Sequence, residues 1–139
     1  MVRQLVGAVA GIVTAVVTVM IAERISLAMY PMPADFDSHD SGALATHVAG
    51  APAAVLLVVL AGYLLASFDG TLVASLTGRA RPAAYAMLIG LLMIAATASN
   101  LIMIPHPTWF AVAAIVGIII ATWAAVLFAT RLIGPKGDR

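Results

Sequence analysis

Four stretches of this chain, residues 5–22, 49–68, 82–104 and 109–130, contain no charged side chain. Each is close to the roughly 20 apolar residues that carry a helix across a bilayer core. In lipid every backbone amide must find its partner within the segment, so runs of this kind fold as helices. The pattern predicts an all-α fold, a bundle of four transmembrane helices over about 4–28, 47–76, 82–104 and 108–132. They use most of the 139 residues and form one integral membrane domain. Only 9% of the residues are charged, against about 25% in soluble domains, which excludes an ordinary water-soluble reading. Arg3 before the first run and Ser26-Leu27-Ala28 after it resemble a signal peptide, but the run is long for one and is read as a span.

The chain contains no cysteine. Disulfide exchange, thiolate catalysis and cysteine metal sites are therefore excluded. A net charge of +1 without a basic run gives no nucleic-acid surface. No nucleophile-and-base pair, phosphate loop or hydrolase signature is present, so an enzyme is the less favoured reading.

The helices carry their own packing marks. Gly7 and Gly11 are four apart in the first helix, and Gly62, Ala66, Gly70, Ala74 and Gly78 form a four-residue ladder in the second. Small side chains at this spacing let backbones approach closely in lipid. The expectation is contact within the chain, with dimerisation the weaker reading. The ladder carries the second helix past Asp69, which is then expected near the inner interface. Basic residues near helix ends set orientation. Arg3, Arg79, Arg81, Arg131, Lys136 and Arg139 fall on one side of the four-span scheme and Arg24 near the other. Both termini are thus expected in the cytoplasm, with an acidic loop over residues 30–46 outside.

Residues 27–36 echo residues 101–110: two prolines, a leucine, a methionine and a phenylalanine coincide at an offset of 74. The echo raises the possibility of two duplicated helical hairpins.

In this scheme the outer helix ends bring Glu23, His47, Asn100 and His106 together, with Thr97 one turn deeper and Asp35 or Asp37 nearby. A carboxylate and two imidazoles suit a transition metal, with Glu23, His47 and His106 as candidate ligands, or proton-coupled work. Each also has a plain structural role as a solvated, capping or turn residue. A haem held by two histidines fits poorly, because one lies at a helix start and the other in a turn. Asp35, Asp37, His39 and Asp40 lack EF-hand spacing and read as a solvated loop.

The chain ends its first helix with Glu23 and a proline-rich exit, and opens its last with N-x-x-M-x-P-H-P-x-W-F from Asn100 to Phe110. This resembles small uncharacterised four-span integral proteins of the bacterial inner membrane. The resemblance implies topology and no activity or cofactor. Small multidrug transporters are also similar in having four spans and a first-helix glutamate, but theirs lies in mid-membrane and Glu23 lies near a helix end. The leading expectation is a non-enzymatic membrane protein that binds a lipid, a small ligand or a protein partner, within a homo-oligomer or a larger complex. An oligomeric transporter or channel using Glu23 is second, and a metal-dependent membrane enzyme third.

Overall fold

The computed structural model describes residues 1–35, 37, 40–79 and 81–134. The described residues form five helices: α1 (Val2–Met29), α2 (Ser41–Ala49), α3 (Ala53–Gly78), α4 (Pro82–Met103) and α5 (Thr108–Ile133). All but α2 are long and apolar enough to cross a membrane. The four long helices run alternately up and down. The end where α1 begins is called the near end and the end where α1 and α4 finish the far end. His39 and the tail from Pro135 lie outside the described residues.

α3 is the central helix, packed against α1, α4 and α5. Its seam with α1 is built from absent side chains. A Cβ on Gly7 would stand 2.8 Å from the backbone of Ala74 and Gly78, and one on Gly11 would collide with the Gly70 carbonyl. A Cβ on Gly62 would strike the Ala22 methyl. The ladder Gly62, Ala66, Gly70, Ala74 and Gly78 is buried throughout, opposite Gly7, Gly11, Ala15 and Ala22. The small-residue faces therefore meet each other inside one chain, as expected. Helices in lipid gain mainly packing contacts when they associate, and smooth faces maximise them.

The other side of α3 meets bulkier partners, with Phe110, Ala114, Ile118 and Ile89 almost wholly buried around Ala66 and Tyr63. Several hydroxyls within the spans turn back on their own helices. Ser67 donates to the Tyr63 carbonyl and Ser75 to that of Thr71, both at 2.7 Å, which satisfies them without water. Outward faces remain apolar: Val13, Leu65, Leu91 and Leu127 are all exposed. At the near end, Arg3 Nε donates to the Thr77 carbonyl and the Tyr85 hydroxyl to that of Gln4, each at 3.1 Å. Tyr85 lies against Gly78, where any Cβ would meet its hydroxyl.

The second span differs from the expected 47–76. It begins at Ala53, and His47 lies on the separate short helix α2. Pro52 has no amide hydrogen and pushes Ala51 out of helical geometry, and Gly50 already weakens the turn before it. The helix started at Ser41 consequently stops at Ala49. Asp40 caps α2, its carboxylate accepting from the amides of Gly42 at 2.8 Å and Ala43 at 3.3 Å.

The internal echo has a local counterpart. α1 ends on Tyr30 (φ −139°, ψ 80°) and α4 on Ile104 (φ −130°, ψ 115°), each preceding a proline. Their amides donate to the Ser26 and Asn100 carbonyls at 2.9 and 2.8 Å. A following proline disfavours helix in its predecessor, which accounts for both exits.

Candidate functional site

Between α1 and α4, towards the far end, lies a cavity of about 290 Å³. These two helices touch only sparsely, so the cavity is a cleft whose mouth faces the bundle exterior. Its floor is apolar, formed by Ala15, Val16, Met93 and Ala96. Its upper rim is polar, with Glu23 from α1, Thr97 and Asn100 from α4, and Tyr63 from α3. At about 1.5 Å of rise per residue, Glu23 and Asn100 each stand about 11 Å from the middle of their helices.

Asn100 Nδ2 donates to the Tyr63 hydroxyl at 2.9 Å. Tyr63 is buried, and its ring meets Phe110 edge-on at 6.2 Å. A half-buried amide and a buried phenol meet in this way, at a depth where an unpaired polar group is costly. Thr97 is 2% exposed, one turn below Asn100. Glu23 is exposed and makes no hydrogen bond with a described residue. Its carboxylate is left at the rim as an uncommitted acceptor.

The structure distributes the expected cluster over two neighbouring cavities. Glu23, Asn100 and Thr97 line the cleft. His47 and His106 line a second, smaller cavity of about 120 Å³ under α2, with Tyr30, Ser26 and Leu56. The His47 ring stacks on Tyr30 at 4.3 Å and the His106 ring on Phe110 at 4.9 Å. His106 Nδ1 lies 2.7 Å from the Ile104 carbonyl, which only accepts, so the ring carries its proton on Nδ1. The buried Phe110 ring lies between the two linings, touching both His106 and Tyr63. Among the described residues no three histidine, aspartate or glutamate side chains converge as a metal site, so Glu23, His47 and His106 do not form one. Asp35 and Asp37 line neither cavity.

Two residues escape the sequence reading. Tyr63 sits within an apolar run, and only its hydroxyl hints that it needs a polar partner. Asp69 is not at the inner interface as expected. The Thr18 hydroxyl donates to its Oδ2 at 2.6 Å, and helix rise puts Thr18 about 4 Å and Asp69 about 5 Å from the middles of α1 and α3. No protein-family model, curated protein or solved structure matches the chain.

Proposed function

We propose that this is a non-enzymatic multi-pass protein of the cell membrane that binds an amphiphile, a membrane lipid or a small molecule of similar build, in the α1–α4 cleft. The observation that carries the reading is the grading of the cleft, from Ala15, Val16, Met93 and Ala96 below to Glu23, Thr97 and Asn100 at the rim. An apolar chain matches the floor, and a head with hydrogen-bond donors or positive charge matches the Glu23 carboxylate. The sparse contact of α1 with α4 supports lateral entry from lipid. The far end is assigned to the outside and both termini to the cytoplasm, in a bacterial inner membrane. Homo-oligomers or a larger complex are compatible with the apolar outer faces.

The transporter reading that uses Glu23 is less well supported, because Glu23 lies at the rim of the cleft and towards the end of its helix. A metal-dependent enzyme lacks a three-ligand set among the described residues.

Native mass spectrometry of protein purified with its lipids tests the proposal. Wild type is expected to retain one amphiphile, and Ala96→Phe, which fills the floor, to lose it. Glu23→Gln is expected to weaken binding of a cationic-headed amphiphile about tenfold, equivalent to about 1.4 kcal/mol. Equal occupancy of wild type and Ala96→Phe would overturn the proposal.

A further inference from the structure

Asp69 is the one charged residue of α3, and residues 5–22, 82–104 and 109–130 of the neighbouring spans carry none. Its Oδ2 accepts from Thr18, but its Oδ1 is buried and has no hydrogen-bond partner. By helix register the carboxylate lies close to the middle of the bundle, where a charge costs on the order of 3 kcal/mol even on insertion scales.

Among the described residues nothing offers it a counter-charge. Arg3 donates its Nε to the Thr77 carbonyl at the near end. Arg79 and Arg81 line a near-end cavity with Gln4 and Thr130, and Arg131 lies in the last turn of α5. Arg24 lies along a different face of α1, with Val17, Met20 and Ile21. Glu23 faces the α1–α4 cleft. Among the described residues the Thr18 hydroxyl is the hydrogen-bond partner that the elements packed against α3 give Asp69, and α4 and α5 carry no charge between Arg81 and Arg131.

The seam beside it is narrow. A Cβ on the adjacent Gly70 would stand 2.9 Å from the Ala15 methyl and from the Gly11 carbonyl. A lysine or arginine stem, or an ion with its full hydration shell, does not pass between the two backbones there, and the half-buried Asp69 side chain sits beside that seam with its Oδ1 turned out of contact with the exterior. We propose that Asp69 is an intramembrane binding site for one small monovalent cation, a proton or a sodium ion, taken at Oδ1 while Thr18 holds Oδ2. The site is separate from the amphiphile cleft and does not depend on that reading.

Dicyclohexylcarbodiimide, which reacts with carboxyl groups that carry a proton in apolar surroundings, tests the site on the full chain reconstituted in liposomes. Peptide mass spectrometry locates the adduct. Asp69 is expected to be modified in sodium-free buffer, and Asp69→Asn to lose the adduct while keeping its elution volume and helical circular dichroism. If the ligand is a proton, modification falls as pH rises and ignores sodium. If it is sodium, sodium chloride protects Asp69 and choline chloride does not. No adduct at Asp69 in acidic, sodium-free buffer would overturn the proposal, as would labelling indifferent to both pH and sodium.

Discussion

Tyr63 and Asn100 show how a polar pair is tolerated in this bundle. The phenol accepts the amide proton at 2.9 Å, and both groups border the cleft. Replacing Tyr63 with phenylalanine leaves the amide without its acceptor. The expected cost is about 0.6 kcal/mol, the average for hydrogen bonds between membrane helices. A double-mutant cycle of Tyr63→Phe and Asn100→Leu, followed by thermal unfolding in detergent, should show a coupling of that size. Strict additivity would mean that the bond adds nothing to stability. Asn100 was legible in the sequence because a lone amide in an apolar run must find a partner. The partner was not, since no spacing within α4 says which helix lies beside it. Asp69 failed for the opposite reason. Its charge invited an interfacial placement, and only the register of α1 on α3 puts it beside Thr18.

At the scale of elements, the small-residue ladder was readable because close approach leaves a periodic trace, four residues apart, on both helices. The start of the second span was not. Apolar residues continue across Gly50 and Pro52, and hydropathy does not register a missing amide donor. The seam makes a graded prediction. Gly11→Ala places a methyl against the Gly70 carbonyl and the Ala74 methyl. Backbone cannot retreat without parting the helices, so a loss of about 1–3 kcal/mol is expected. Gly117→Ala instead meets the tip of the Leu64 side chain, with contacts from 2.8 Å. That side chain can change rotamer, so the expected loss is below about 1 kcal/mol. Detergent melting temperatures of the two variants give the comparison, and equal losses would argue against a rigid α1–α3 seam.

For the whole molecule, orientation rests on charge. Arg3, Arg79, Arg81 and Arg131 all belong to the near end, with Lys136 and Arg139 following in sequence. The positive-inside rule then predicts that Met32→Cys reacts with a membrane-impermeant maleimide in intact cells, whereas Thr77→Cys reacts only after permeabilisation. The chain has no cysteine of its own, so each variant reports a single position. The reverse pattern would invert the assigned topology. The glycine seam also bears on how such a bundle is made. The face of α1 that must be covered is covered by α3, the very next span, so the first pair can zip before residue 82 has left the ribosome. α5 then docks on the remaining face of α3, with α4 standing across from α1. The cleft, lined by α1, α3 and α4, therefore comes into being only when α4 joins the first pair, and an occupant reaches it from the surrounding lipid after that step.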